Sequence, residues 1–205
     1  MKFLGSKELV TERLVLKAQT MEEQHYLWSV LMLDDVNKYY LSVPQKFREK
    51  LKDWTKQEEF YRKDMERAND PDVFRWSVFL KETGECIGRV SCHDARSEFN
   101  EFNDPSIRGV GWYIDPKYKG NGYATEAVRA MLDYMFNECE ISEIHTQAAV
   151  ENPASWKIME KLGFIRKDKI NLVEYTYLDE PAEDYQYYIT KEMYLEKSND
   201  LNKSR

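Results

Sequence analysis

The stretch from Trp112 to Ala127, WYIDPKYKGNGYATEA, constrains this chain more than any other. Val110 to Ile114 is a run of strand-forming residues closed by Asp115-Pro116, and it reads as a strand. Gly120 and Gly122 then free the backbone to turn sharply and bring its N–H groups close to a ligand. From about Tyr123 to Asn137, the residues Ala127, Met131, Leu132, Tyr134 and Met135 form one helical face. A helix entered this way leaves its first N–H groups unpaired and carries partial positive charge at that end. With Lys117 and Lys119 alongside, the loop is suited to phosphate. It is not a Walker loop, which needs G-x-x-x-x-G-K-S/T, nor the dinucleotide fingerprint, which needs three spaced glycines after a first strand.

Around this unit the elements alternate irregularly. Leu9 to Lys17 reads as a first strand. Thr20, with Glu23 three residues later, fits a capping box that opens a short helix to about Leu33. Phe47, Leu51, Trp54, Tyr61 and Met65 follow at gaps of four, three, seven and four, which predicts one long amphipathic helix over 45–68. Strands are predicted over 74–80 and 86–93, joined by a turn at Gly84. A polar loop covers 94–106. Beyond the glycine loop come a strand over 144–150, a helix over 153–162 stopped by Gly163, and two strands near 165–177 and 185–195. This order predicts a mixed α/β (α+β) sheet of six or seven strands flanked by about four helices. A single domain over residues 1–196 accounts for the length, and the polar segment 197–205 reads as a disordered tail.

Composition narrows the function classes. Thirty Lys and Arg stand against 37 Asp and Glu, a net charge of −7, which argues against nucleic acid as a partner. No run approaches the ~18 apolar residues of a membrane span. The first eight residues lack a signal peptide's apolar stretch, so the reading is a cytoplasmic protein with no membrane partner. Cys86, Cys92 and Cys139 match no zinc or disulfide spacing and read as buried thiols, with a Cys86–Cys92 redox pair as the alternative. His25, His93 and His145 are too dispersed for a metal cluster, so no metal is expected.

A second segment sharpens the first. Asn152-Pro153-Ala154-Ser155 opens a helix with Asn152 as N-cap, and Lys161-Leu162-Gly163-Phe164 closes it. Together the two segments resemble the GNAT superfamily of acetyl-CoA-dependent N-acetyltransferases. The first matches that family's Q/R-x-x-G-x-G/A acyl-CoA loop, and the second matches N-x-x-S-x-x-x-x-x-K-x-G-F. Thr11-Glu12-Arg13-Leu14-Val15-Leu16 resembles the T-x-R-L-x-L strand of the branch that acetylates ribosomal-protein N-termini. The resemblance spans about residues 8–195. It implies a GNAT-like, mostly antiparallel sheet that splays beside the loop, and acetyl-CoA as co-substrate. It further implies that pantetheine pairs with the backbone of Trp112, Tyr113 and Ile114. Pyrophosphate would rest on the amides of Lys119, Gly120, Asn121, Gly122, Tyr123 and Ala124. Asn152 would touch the pantetheine arm, and Ser155 would lie near the thioester.

The chain also departs from the family pattern. Lys117 stands at the loop's first position in place of Gln or Arg. Met159 stands where many members carry a Tyr that acts as general acid, and Gly109 where many carry a Glu. Proton transfer therefore needs other groups. Ser155 is the candidate donor to the leaving thiolate, and His93 and Glu174 are the candidate bases. The segments expected around the acceptor are rich in acid, among them Glu98, Glu101, Asp104, Asp179, Glu180, Glu183 and Asp184, a composition that fits a cationic amine. The implied reaction is direct attack of a primary amine on acetyl-CoA in a ternary complex. The acceptor implied first is a protein N-terminus. A polyamine or aminoglycoside acetyltransferase, or a CoA-binding regulator without catalysis, is the alternative, and the resemblance leaves room for a homodimer.

Overall fold

The computed structural model describes residues 1–96 and 98–203. The expected first strand breaks in two because Thr11 turns the chain back: its Oγ1 accepts the Leu14 amide at 2.9 Å. The pieces, β1 (Leu9–Val10) and β2 (Leu14–Ala18), pair antiparallel. Next come the hairpin strands β3 (Phe74–Leu80) and β4 (Cys86–Asp94), then β5 (Ile107–Ile114), β6 (Glu143–Ala149), β7 (Ile165–Val173) and β8 (Ala182–Thr190). They form one eight-stranded sheet in the order β1-β2-β3-β4-β5-β6-β8-β7. The sheet thus has one strand more than the sequence patterns predict. Only β5 and β6 run parallel.

Seven helices flank the sheet among the described residues, not about four. Only half of the Thr20–Glu23 box forms: the Thr20 amide donates to Glu23 Oε1 at 2.8 Å, but the Thr20 hydroxyl donates to Glu23 Oε2 at 2.6 Å instead of accepting the Glu23 amide, and regular helix α1 (Gln24–Leu31) starts after it with Glu23 as N-cap. A short α2 (Asp34–Asn37) follows. The long helix expected over 45–68 divides into a tight turn, α3 (Arg48–Leu51) and α4 (Trp54–Glu66). Side chains capture the carbonyls that would have continued it. Gln57 Nε2 donates to Lys50 O, and Trp28 Nε1 to Leu51 O, each at 2.9 Å. Asp53 then caps a new start by accepting the Thr55 amide at 3.1 Å. On the other side of the sheet lie α5 (Tyr123–Asn137), α6 (Pro153–Leu162) and α7 (Lys191–Lys203). Thr190 Oγ1 accepts the Met193 amide at 3.3 Å, so the last predicted strand ends there in a helix. That helix runs through the supposed tail as far as Lys203, while 204 and 205 lie outside the described residues.

The two faces of the sheet have different jobs. Leu14, Leu16, Trp76, Val78, Val90, Val110 and Ile144 point to one face and pack against Ala127, Val128, Met131, Leu132 and Met135 of α5. Each large side chain buried this way contributes ~1.5–3 kcal/mol. Cys92 and Cys139 lie in this core, and Cys86 packs at the border of the cluster on the opposite face, all three free. Cys86 and Cys92 sit at opposite ends of β4, ~20 Å apart by strand rise, which rules out the redox pair. The other face carries Arg75, Arg89, Ser91, His93, Gly109, Gly111 and Tyr113 in register across β3, β4 and β5. Leu27, Val30 and Leu31 of α1 cover the Tyr113 end. No helix among the described residues is long and apolar enough to cross a membrane.

Candidate active site

The site begins where the sheet opens. β5 and β6 pair only at Ile107–Glu143, Arg108–Ile144 and Gly109–His145. Past that point Thr146 Oγ1 still reaches Val110 O at 3.3 Å, and then the strands part. The Asp115 amide bonds Ile87 O at 2.8 Å, which sets the alternation along β5. Gly109, Gly111 and Tyr113 turn their backbone groups to β4, whereas Trp112 and Ile114 turn theirs into the gap. Tyr113 is therefore not a backbone partner for a ligand in the gap. Its side chain packs under α1, and its hydroxyl donates to Leu27 O at 3.0 Å.

The glycine loop follows directly. Asp115 Oδ1 accepts the Lys117 amide at 2.9 Å, and the Lys119 amide bonds Pro116 O at 3.1 Å. Lys119 thus cannot offer its N–H to a phosphate, contrary to the sequence-based expectation. Gly120 and Gly122 have φ of +82° and +79°, values that disfavour any side chain. The first helical bond of α5 runs from Glu126 N to Gly122 O. The amides of Gly120, Asn121, Gly122, Tyr123 and Ala124 are accordingly free among the described residues, and Thr125 joins them. Cation charge comes from an unforeseen side. Arg13 is gripped by Glu126 at 2.7 Å, bonds Asn121 O at 2.9 Å and lies over the Tyr123 ring. Thr11 Oγ1 reaches the same Glu126 at 2.6 Å, so the T-x-R-L strand buttresses the loop. These donors fit a pyrophosphate, and the open strand edge fits an extended amide-bearing arm.

A cavity of about 880 Å³ joins this loop to the centre of the sheet. Asn152 and Ser155, in the first turn of α6, both line it. Neither side chain makes a hydrogen bond among the described residues: Asn152 caps through its backbone only, its carbonyl accepting the Ser155 amide at 3.0 Å. Ser155 Oγ is therefore not engaged in a local bond and is available to a ligand. Met159, in the position of the family tyrosine, is buried in the cavity wall.

Two histidines line the cavity, and their hydrogen bonds separate them. His145 Nε2 meets Glu143 Oε1 at 2.8 Å, its Nδ1 meets Lys167 Nζ at 3.4 Å, and its ring stacks on Phe99. Both nitrogens are occupied, which marks a positioning role in the wall. His93 Nδ1 lies 3.0 Å from Asp94 O, a contact that requires the proton on Nδ1. Nε2 then carries the free lone pair of a ring that lines the cavity. Burial lowers the His93 pKa, the bond to Asp94 O opposes this, and Arg108, Arg89 and Arg96 push it down again. The ring is thus neutral at neutral pH. It occupies the space left by the missing side chain at Gly109, where a Cβ would stand 2.4 Å from His93 Cε1. The sheet thereby puts an imidazole from β4 into the place that a residue of β5 would otherwise fill.

Glu174 is not brought to this centre. It is exposed and lines a separate shallow cavity with Ser42, Arg96 and Glu98. The acidic loop residues expected around the acceptor do not line the main cavity either. Its carboxylates are Asp35 and Asp64, each already paired, with Lys119 and Arg75 respectively. The free charge inside the cavity is positive. Sequence reasoning missed Arg89, Tyr40 and Tyr61, which line its far end.

A splayed strand edge, a glycine loop at a helix start and an imidazole thus meet around one cavity. Residues 13–165 match the acetyltransferase (GNAT) domain family, and the chain belongs to that family. It is 30% identical over 157 residues to the uncharacterized protein YkkB of Bacillus subtilis (strain 168), covering 76% of this chain and 84% of that one. The solved spermidine N-acetyltransferase of Vibrio cholerae, in complex with CoA and spermine, superimposes with a TM-score of 0.70 at 22% identity, covering 90% and 99% of the chains. The ribosomal-protein-S5-alanine acetyltransferase of Vibrio fischeri does so with 0.69 at 17% identity, covering 92% and 99%. At such identities these two structures speak for the fold. No group of His, Cys, Asp and Glu among the described residues could hold a metal.

Proposed function

We propose that the protein moves the acetyl group of acetyl-CoA to a primary amine by direct attack in a ternary complex, with His93 as general base. The observation that carries this is the His93 imidazole, neutral, fixed in one tautomer by Asp94 O and lining the cavity with its Nε2 unpaired among the described residues. An attacking amine must be neutral, and an alkyl ammonium titrates near 10 in water; a base at its side removes that proton. Acetyl-CoA supplies an activated acyl group with a thiolate as leaving group. The amides from Gly120 to Thr125 hold its pyrophosphate, the backbone of Trp112 and Ile114 aligns its arm, and Asn152 bonds the arm from the facing side. Ser155 Oγ donates a hydrogen bond to the departing sulfur. Holding both reactants over one floor contributes on the order of 7–11 kcal/mol to the rate by orientation alone.

A protein N-terminus is the acceptor that fits best. The T-x-R-L strand favours it. The polyamine reading, raised by the Vibrio cholerae enzyme, lacks the unpaired carboxylate that a polycation would seek in the cavity. The test is the pH dependence of kcat/KM for acetylation of short peptides. The wild type should lose activity on acidification through a pKa below the ordinary histidine value, because protonated His93 cannot accept a proton. His93→Gln should remove that limb and lower kcat/KM by about 10²–10⁴-fold. A variant that keeps both the rate and the limb would show that His93 is not the base.

A further inference from the structure

Among the described residues, Arg89 is the one cavity-lining arginine that makes no hydrogen bond or ion pair. It projects from β4, half-buried, with its Nε shielded from solvent and without a hydrogen bond among the described residues. By contrast Arg75 is bound to Asp64, and Arg96 donates to Ser42 Oγ at 3.3 Å. The carboxylate that Arg89 feels most strongly, Asp64, is thus already taken. Its other neighbours are phenols. The Tyr113 ring lies 6.0 Å from its guanidinium, and Tyr40 and Tyr61 stand near enough to interact electrostatically. The Tyr113 hydroxyl is committed to Leu27 O. Those of Tyr40 and Tyr61 make no hydrogen bond among the described residues. A half-buried cation without a counter-charge is costly. A planar guanidinium with two free phenols matches the oxygens of a carboxylate or phosphate.

We infer that the amine acceptor carries an anionic group, a carboxylate or a phosphate, that docks on Arg89, Tyr40 and Tyr61. The inference rests on the acetyltransferase reading for the amine end alone. Residues 89, 91 and 93 share one face of β4, so Arg89 and His93 are four residues, or ~13 Å, apart along the strand. Between them lies Ser91, opposite Gly111, which has no side chain. No large side chain of β4 or β5 fills this stretch of floor, and the Tyr40 hydroxyl stands over it, 3.5 Å from where a Cβ on Gly111 would lie, so an acceptor on the order of 10 Å long that presents its amine to His93 meets Tyr40 on the way to Arg89.

The experiment compares acceptors of equal length. 6-Aminohexanoate, 6-aminohexyl phosphate, hexylamine and hexane-1,6-diamine are each offered to the enzyme with acetyl-CoA. An anionic acceptor should exceed hexylamine in kcat/KM by about 10- to 100-fold, the range of a hydrogen-bonded charge, and the diamine should be the poorest. The carboxylate and phosphate arms identify which anion the site prefers. Arg89→Gln should bring the anionic-to-neutral ratio close to one, and Arg89→Lys should retain part of it. An arginine with a purely structural role would lower all four rates together and leave the ratio unmoved, which would overturn the inference. So would a preference for the diamine. Calorimetry with 6-acetamidohexanoate and CoA makes the site testable apart from turnover. Binding that needs Arg89, with no amine acetylated, would retain the anion site and refute the acetyltransferase reading. Acetylation with no anion preference, and no Arg89-dependent binding, would do the reverse.

Discussion

Gly109→Ala should disable the enzyme while leaving the fold nearly intact. The added Cβ would stand 2.4 Å from His93 Cε1 and 2.7 Å from Nδ1, where carbon atoms in contact normally keep ~3.5–4.0 Å. The imidazole must therefore retreat by more than about 1 Å. The third neighbour, Asp94 O, is at 3.5 Å and need not move. Because the obstructed group is the end of a rotatable side chain at the cavity rim, relief costs little. The lost Nδ1–H bond to Asp94 O accounts for ~0.5–1.5 kcal/mol, a fall in Tm of roughly 2–6 °C for a chain of this size. The kinetic effect is larger. A misplacement of about 1 Å costs on the order of 10²-fold, and a base swung out of reach approaches the full 10²–10⁴-fold. Steady-state acetylation and a thermal melt of the same sample suffice to check both figures. The double variant Gly109→Ala with His93→Gln should be no slower than His93→Gln alone. Full activity in Gly109→Ala, or a double variant slower by the product of the single effects, would refute the reasoning.

Two further outcomes follow from the same geometry. Ser155→Ala removes a hydroxyl with no hydrogen bond among the described residues, so the melting temperature should hold while kcat falls about 10- to 100-fold. The loss should shrink with a thioester whose thiolate leaves more readily, as single-turnover kinetics would show. Asp184 is fully buried, accepts the Tyr175 hydroxyl at 2.6 Å on Oδ2 and has no bond at Oδ1. Burial raises its pKa from 3.8 to about 6, against the Tyr175 bond and Arg96. Between those values the folded state holds a proton that the unfolded chain releases, so stability falls as pH rises through that window. Above it the folded protein bears a cost on the order of 3 kcal/mol. Asp184→Asn should therefore raise the melting temperature at pH 7.5 and leave it unchanged near pH 4; equal melts at both would refute the assignment.

What the chain discloses by itself is what its local chemistry settles. Gly120, Gly122, Pro153 and Gly163 mark places where only certain backbone angles serve, and the elements around them lie as the sequence indicates. The helix over 45–68 misleads because Trp28, distant in sequence, takes Leu51 O. No periodicity can report that. His93 and Glu174 look alike as candidate bases in one dimension. Strand register separates them, bringing His93 opposite Gly109 and leaving Glu174 just past the end of β7. A signal for the site was present in the alternation Arg89-Ser91-His93 set against Gly109-Val110-Gly111. Its meaning emerges only once the hairpin and β5 are known to be neighbours.

The parting of β5 and β6 makes this molecule two half-sheets sharing a hinge three residue pairs long. Elsewhere a sheet completes its ladder with its own strands, but on the proposed reading the missing rungs at Trp112 and Ile114 would be supplied by a molecule that is consumed. On that reading the sheet is complete only while the ligand is bound. Its stability would then rise with ligand concentration, as mass action requires of a fold that alone binds the ligand.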